Sequence, residues 1–323
     1  MKKAGRVRKG KLLKFLGVGD LTVYNTTPPL WLPVGGVKKR LIAGRVESRE
    51  RCTLSQVFFF EEHKPYTYKL LDKSPIFWGE DPAITTVQTK RGEEIVLGVV
   101  EPHAYFPSSE KWALQTALYR GTDLTDLKRF AEVPGKDNRL VQKKGGSIAF
   151  CNRPQGTIGG LGTIGFKEFE SLDQISEEGL RDAILLENMF PEGWWGGANE
   201  LHNLPETDAI GIIAHAAHER FPWVKEPGTD CRFFKSATGW TKSYVTIYTE
   251  LNRNMQFTIP EVIATREDFP AHPGKMSVLN DVTFPGGISF ENGVPMLYCG
   301  IGDSCEGVIL ISHPAIVAIY PPQ

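Results

Sequence analysis

Residues 78–100 read WGEDPAITTVQTKRGEEIVLGVV. A carboxylate-bearing corner, Glu80-Asp81-Pro82, runs straight into a β-branched stretch at 84–87. A polar turn at 90–93 follows, and then a second apolar run at 95–100. The pattern predicts a β-hairpin with a loop carboxylate at its entrance. Pro82 fixes its own φ and is expected to hold Asp81 extended. A carboxylate fixed in this way suits chemistry that needs a positioned acid or base. The plainer alternative is that Asp-Pro only starts a turn. On this stretch alone the turn is the stronger reading, so the rest of the chain has to decide.

Outward from this hairpin the same strand–turn–strand pattern recurs. Short β-rich runs occupy 21–24, 40–46, 56–61, 112–120, 147–152, 162–169, 243–251 and 260–265. A hairpin is expected from 201–204 to 209–215, after a polar-aromatic loop at 194–200. Near the end, 282–284, 288–290, 295–300 and 307–311 are split by Gly286-Gly287 and by Glu291-Asn292-Gly293. The one helix expected lies at 172–186, with Ser176 as its cap. The hairpins fall into about five clusters, a spacing that suits propeller blades. A two-sheet sandwich fits the alternation equally well.

The bulk numbers agree with a β-rich globular protein. The chain has 323 residues, 41% hydrophobic and 23% charged, with 33 Gly and 22 Pro to make turns. It reads as a single domain, 1–323, with 1–16 as a basic, solvated lead-in. A net charge of −1 gives no field to attract nucleic acid or an anionic membrane. No apolar window reaches the length of a membrane-spanning helix, and Lys14 interrupts the only candidate signal core. The five cysteines, Cys52, Cys151, Cys231, Cys299 and Cys305, are scattered and lack metal-ligand spacing. They are expected to be reduced thiols in a cytoplasmic protein, with no metal and no cofactor.

Four polar clusters stand out, all expected at turns or strand ends. They are Arg45, Glu47 and Arg49; Glu80 and Asp81; Asn199, Glu200 and His215; and Asp281 with Asp303. Each has a plain structural alternative: a surface ion-pair row, an Asp-Pro turn, a satisfied core histidine and a Gly-Asp turn. Trp194, Trp195 and Trp240 could stack on sugar rings or simply pack. In a propeller such clusters would converge at one end of the axis. Facing carboxylates there would suit glycosidic bond cleavage.

Two segments carry a family resemblance. Residues 281–309 contain Phe284, Pro285, Gly287, Tyr298, Gly300 and Asp303 in the pattern Phe-Pro-x-Gly followed by Tyr-x-Gly-x-x-Asp. This resembles the last blade of the five-bladed β-propeller mannoside phosphorylases and hydrolases, glycoside hydrolase family 130. The Gly79-Glu80-Asp81-Pro82 corner is similar to that family's Gly-x-Glu-Asp-Pro-Arg segment. Tyr24-Asn25 and 43–47 resemble its opening turn and Arg-x-Glu strand, and His215 falls where it has a strand-end histidine. The resemblance implies an all-β five-bladed propeller with a central funnel site. It also implies inverting cleavage of a β-linked, mannose-like oligosaccharide, with Asp81 as general acid. Glu47 and Asp303 are then the other catalytic candidates. Arg45, Arg49, Glu80, Asn199, Glu200, His215, Asp281 and Tyr298 would bind substrate or inorganic phosphate. One position departs from the pattern: Ala83 stands where the family has Arg. That change leaves hydrolysis, phosphorolysis and a non-catalytic sugar-binding or protein-interaction propeller all open.

Overall fold

A computed structural model describes residues 9–49, 55–106, 111–204, 206–220, 223–225, 232–234 and 241–319. Cys52, Cys231 and Trp240 lie outside the described residues. The opening hairpin forms from Glu80–Thr89 and Gly92–Phe106. Its strands are longer than the apolar runs because Thr, Gln and Glu continue each ladder with one face toward solvent.

The chain folds into successive antiparallel groups that follow sequence order. In the first, Thr22–Tyr24 and Leu30–Val34 both pair with Val37–Glu47, which pairs with Gln56–Lys64 and then Thr67–Leu70. The second is Glu80–Thr89, Gly92–Phe106, Lys111–Gly121 and Lys128–Pro134. The third is Arg139–Gln142, Ile148–Asn152, Gly165–Phe169 and Ile184–Leu185. The fourth is Trp195–Leu204, Ala209–Arg220, Thr241–Leu251 and Glu261–Ala264. The fifth is Asp281–Glu291, Val294–Ile301 and Cys305–Leu310, and its outer place is taken by Lys11–Leu12 from the start of the chain. The fold is thus nearly all β; among the described residues the one α-helix is Pro314–Ile319.

The core is divided in the same way. One apolar cluster joins the first and second groups through Leu41, Phe59, Ile95 and Leu97. Others join second to third through Leu118 and Phe150, third to fourth through Phe166 and Ile212, and fourth to fifth through Ile213 and Leu297. The last, around Ile42, Phe60, Tyr298 and Val308, joins the fifth group back to the first. Each group is therefore buried on both faces, and burial of this kind is the main driving force for folding. A cavity of about 580 Å³ is lined by residues from the first strands of all these groups, including Leu30, Thr86, Gln142, Asn203 and Ser289.

Several expectations are corrected here. The helix expected at 172–186 is two 3₁₀ turns, Leu172–Gln174 and Glu178–Leu180, and a short strand, Ile184–Leu185. Its apolar residues Leu172, Ile175 and Leu180 are buried, but Gly179 breaks the stretch and Ile184 faces solvent. The loop expected at 194–200 is mostly strand, Trp195–Leu204. Gly286-Gly287 does not split two strands but sits inside one, Asp281–Glu291. A Cβ on Gly286 would lie 1.8 Å from the Thr26 carbonyl oxygen, so glycine lets the fifth group touch the first. The described end of the basic lead-in is not a solvated extension. Lys11–Leu12 and Lys14–Leu16 are paired strands, and Leu13 between them is buried.

Glu306 is buried in this closing region, where its Oε2 accepts the Thr26 backbone N–H at 3.0 Å. Burial pushes its carboxyl well above the usual range, against the smaller opposing effect of the Thr26 hydrogen bonds. A raised acid favours the folded state below the unfolded pKa and costs stability as pH rises from there. Glu306→Gln should therefore raise Tm relative to the parent at neutral pH and give a smaller difference near pH 4. Equal Tm differences across that window would refute this assignment.

Candidate active site

The site is built from residues that fall out of register. In the second group Gly98 pairs with Ala83 but Val100 pairs with Glu80, so Asp81 and Pro82 together oppose Val99. Asp81 takes φ +50°, not the extended conformation expected from Pro82. The bulge overrides the local preference, and bulges re-aim side chains in this way. Gly79 before it has φ +138°, and a Cβ there would lie 2.3 Å from the Val100 oxygen. Asn199 is the extra residue in the fourth group, between Ala198 and Glu200, and Gly286 is its counterpart in the fifth. Asn25 (φ +47°) and Asp137 (φ +55°) hold the matching places ahead of the first and third groups' inward strands. Asn25, Asp81, Asp137 and Asn199 are all buried, so the molecule spends its interior on polar groups here.

Arg45, only 9% exposed, is the hub on one side. Its guanidinium reaches Glu80 at 2.9 Å, Glu47 at 3.2 Å and Asp81 at 3.4 Å, and its Nε donates to Ser55 Oγ at 3.0 Å. Burial alone would weaken the cation, but Asp81, Glu80 and Glu47 outweigh it and hold Arg45 charged. Glu47 also accepts from Tyr24, Ser55 and Lys275. Burial opposes its charge, yet Arg45 and these donors keep its carboxyl below the usual range. Asp81 accepts from Asn25 Nδ2 at 2.8 Å and lies 3.8 Å from Lys136, which also pairs with Glu80. Burial raises Asp81, and Arg45, Lys136 and Asn25 more than reverse it, leaving it ionised.

Asp137 is the second hub. It takes Arg153 at 2.6 Å and stands 4.0 Å from Arg139 and 3.9 Å from His215 Nε2. Arg153 and Arg139 hold its carboxyl below the usual range despite burial. His215 is fully buried inside the strand Ala209–Arg220, not at its end. Asn199 Oδ1 accepts both its backbone N–H (3.0 Å) and its Nδ1 (2.8 Å). Because the same oxygen takes a backbone donor, Nδ1 must carry the ring proton and Nε2 is an acceptor. Burial drives the His215 pKa down to about 4, so the ring is neutral near pH 7.

The other sequence candidates divide. Asp303, at φ +52° in a turn, feels Arg45, Asp81 and Lys136 electrostatically; burial, first of all, lifts its pKa to about 6. Asp281 accepts from Ser243 Oγ, and Arg49 is exposed and donates to the Gly274 oxygen at 3.2 Å. Glu200 turns away toward His202 Nε2 and the Ile288 N–H, both at 2.7 Å. Tyr298 lies in the core between the fifth and first groups, with its hydroxyl 3.3 Å from Glu291. Trp194 stacks on His218, and Trp195 meets Tyr244 edge-on. Glu47, Glu80, Asp81 and Asp281 lie at strand ends and Arg49 and Asp303 in turns, as expected, whereas Arg45, Asn199, Glu200 and His215 lie within strands.

Sequence reasoning named Asn25 only in the opening turn and passed over Lys136, Asp137, Arg139, Arg153 and Lys275. A faint signal was available: Gly135-Lys136-Asp137 repeats Gly79-Glu80-Asp81. The separation of 56 residues recurs, from Asn25 to Asp81 and from Glu80 to Lys136.

Solved structures with a similar architecture include a mannose phosphorylase, a mannosyltransferase and a mannobiose phosphorylase. MPT-4, a mannose phosphorylase from Leishmania mexicana solved with phosphate ion, is 28% identical with a TM-score of 0.80, over 97% of this chain and 91% of that one. MPT-1, a GDP-Man-dependent mannosyltransferase from Leishmania mexicana, is 25% identical with a TM-score of 0.79, over 96% and 91%. The β-1,2-mannobiose phosphorylase from Listeria innocua shares the fold at 14% identity and a TM-score of 0.57, covering 90% of each chain. The chain belongs to the DUF1861 family, described as a protein of unknown function, which matches residues 1–316. No curated protein matches it.

The Arg45 hub makes a stability prediction. Carboxyls with depressed pKa stabilise the fold above their unfolded pKa, and that contribution fades as pH falls through the folded value. Arg45→Met leaves Glu47, Glu80 and Asp81 facing one another, and should cost about 3–5 kcal/mol at pH 7. In denaturant unfolding the deficit should shrink toward pH 4. A variant as stable as the parent at pH 7 would show that the hub is not structural.

Proposed function

We propose that this chain is a carbohydrate-active enzyme, a single five-bladed β-propeller whose central funnel cleaves a β-linked, mannose-like glycoside with inversion. The apolar clusters that join each group to the next, and the fifth to the first, support the closed ring. The observation that carries the function is the buried Asp81, aimed inward by a bulge and held among Asn25, Arg45 and Lys136. The similarity to a mannose phosphorylase over nearly the whole chain supports the substrate class.

Asp81 acts as general acid and passes its proton to the glycosidic oxygen as the bond to the anomeric carbon breaks. Phosphate oxygen attacks that carbon from the opposite face, giving an α-sugar 1-phosphate and a free sugar. Phosphate needs cations, and Arg45, Lys136, Arg139 and Arg153 surround Asp81 and Asp137. The Ala83 departure is offset by these neighbours in the reading proposed here. An arriving anion competes for Arg45 and Lys136, the cations that keep Asp81 ionised, and so raises the Asp81 pKa toward a useful acid. Glu47 serves as a fixed anchor for Arg45 and Lys275, since its oxygens are already occupied by donors.

One observation favours hydrolysis as a second reading. Asp303, with a pKa of about 6, is suited to accept a proton from water near neutral pH. The deciding experiment incubates the protein with β-mannosides and manno-oligosaccharides, with and without phosphate. Sugar 1-phosphate formed only with phosphate is expected. Free sugar in both arms would replace phosphorolysis with hydrolysis through Asp303, and silence in both would favour a sugar-binding module. Asp81→Asn should lower turnover by about 10²–10⁴-fold in a protein that stays folded by circular dichroism; unchanged turnover removes the mechanism.

A further inference from the structure

We propose that Lys275 is a positioning residue for Asp81, holding Glu47 so that the Arg45 guanidinium stays extended toward the acid. The inference rests on the reading of Asp81 as general acid and adds a residue that acts on it through two others. Lys275 lies between Glu261–Ala264 of the fourth group and Asp281–Glu291 of the fifth, yet its ammonium pairs with Glu47 of the first. The Lys275 side chain is 4% exposed and that of Glu47 is fully buried.

The backbone places this side chain. The Lys275 N–H donates to the Gly302 oxygen at 2.7 Å. Just before it, the Gly274 N–H donates to Asn280 Oδ1 at 2.8 Å, and the Pro273 oxygen accepts from Ser304 Oγ at 2.8 Å. Arg49 adds its bond to the Gly274 oxygen. Gly302 has φ +57°, and a Cβ there would lie 2.7 Å from Gly274 Cα, so glycine permits the close approach. The Asp303 turn is thus braced by the backbone at 273–275, and a change of the Lys275 side chain leaves that bracing in place.

Glu47 divides its donors between its two oxygens. Oε1 takes the Tyr24 hydroxyl and Lys275; Oε2 takes the Ser55 hydroxyl and Arg45. One terminal nitrogen of Arg45 is shared between Glu47 and Glu80, and the other faces Asp81. Glu47 and Asp81 therefore compete for one guanidinium. A second cation on Glu47 weakens its pull on Arg45. Without Lys275, Arg45 is the cation left on Glu47 among the described residues, and the attraction between them grows in this buried setting. A guanidinium drawn toward Glu47 gives less support to the Asp81 carboxylate, which then holds a proton more tightly. The lost ammonium charge acts in the same direction. Lys136 and Asn25 also contact Asp81, and Glu80 adjoins it. Arg139, Asp137, His215 and Asp303 act on it through the field.

The test reads the proton affinity of Asp81 directly, by ¹³C NMR titration of the side-chain carboxyls in the full chain. The signal missing from Asp81→Asn belongs to Asp81. In Lys275→Met that affinity should rise about threefold or more. An unchanged or lowered affinity in the folded variant overturns the inference. If the parent unfolds in acid before Asp81 titrates, the same coupling is read at pH 7 by denaturant unfolding. Lys275→Met should then raise the unfolding equilibrium constant about fivefold less in an Asp81→Asn background than in the parent. Equal effects in the two backgrounds reduce Lys275 to a local tie and overturn the inference. Lys275→Gln serves if Lys275→Met does not fold. Neither readout needs turnover. A protein that forms no product from mannosides loses the cleavage reading and keeps this coupling, whereas a missing coupling leaves phosphorolysis standing.

Discussion

One buried guanidinium holds the front of this molecule together. Arg45 sits in the first group of strands, while Glu80 and Asp81 belong to the second, and Glu47 is on its own strand. Several carboxylates packed so closely without a cation would not stay ionised. With Arg45 present Glu47 and Asp81 are held below the usual carboxylate range, and the first two groups are tied together by ion pairs as well as by the apolar cluster around Leu41 and Leu97. Lys136 from the third group extends the same network through Glu80. The polar interior is thus cross-linked between groups, and each hub carboxylate is held by groups distant in sequence.

The devices that aim these side chains are backbone irregularities. Asp81, Asn199 and Gly286 each occupy an extra place in a strand, and Asn25 and Asp137 reach the same position by positive φ. A regular strand alternates its side chains between two faces. In this fold both faces are already committed to the apolar clusters between groups. The bulges free Asp81 and Asn199 from that alternation and bring them to the polar centre beside the in-register Arg45 and His215. The glycines at 79 and 286 are part of that arrangement, because a side chain at either would strike a neighbouring carbonyl.

The same strands have two uses along their length. Where they begin, they present acids and cations to one another. Farther along, the residues of those same strands line the 580 Å³ cavity with hydroxyls, amides and apolar groups. Glu200 shows the division: one residue past the bulge at Asn199, it faces His202 and the fifth group's Ile288 N–H instead of the Arg45 hub. Adjacent positions in sequence thus serve different parts of the polar interior.

Alternation and turn chemistry were enough to read most of the long strands and to read 95–100 as the partner of 84–87, while Leu30–Val34, Thr67–Leu70 and Lys128–Pro134 went unread. These are local properties of period and propensity. The Glu-Asp-Pro corner was singled out in the sequence, although a plain turn was the stronger reading of that stretch alone. The φ of Asp81 was not legible, since the mismatch of two strands sets it and not the following proline. Nor was the expected helix at 172–186 correctly read; burial of Leu172, Ile175 and Leu180 in a space between sheets decided its form. The pairing of Asp137 with Arg153, and of Lys275 with Glu47, joins residues whose local sequence contains no sign of a partner. Sequence by itself determined most of the strands and singled out the Glu80-Asp81 corner. Tertiary structure decided which charges meet and which of them stay ionised, because burial and ion pairing depend on distances between separate strands.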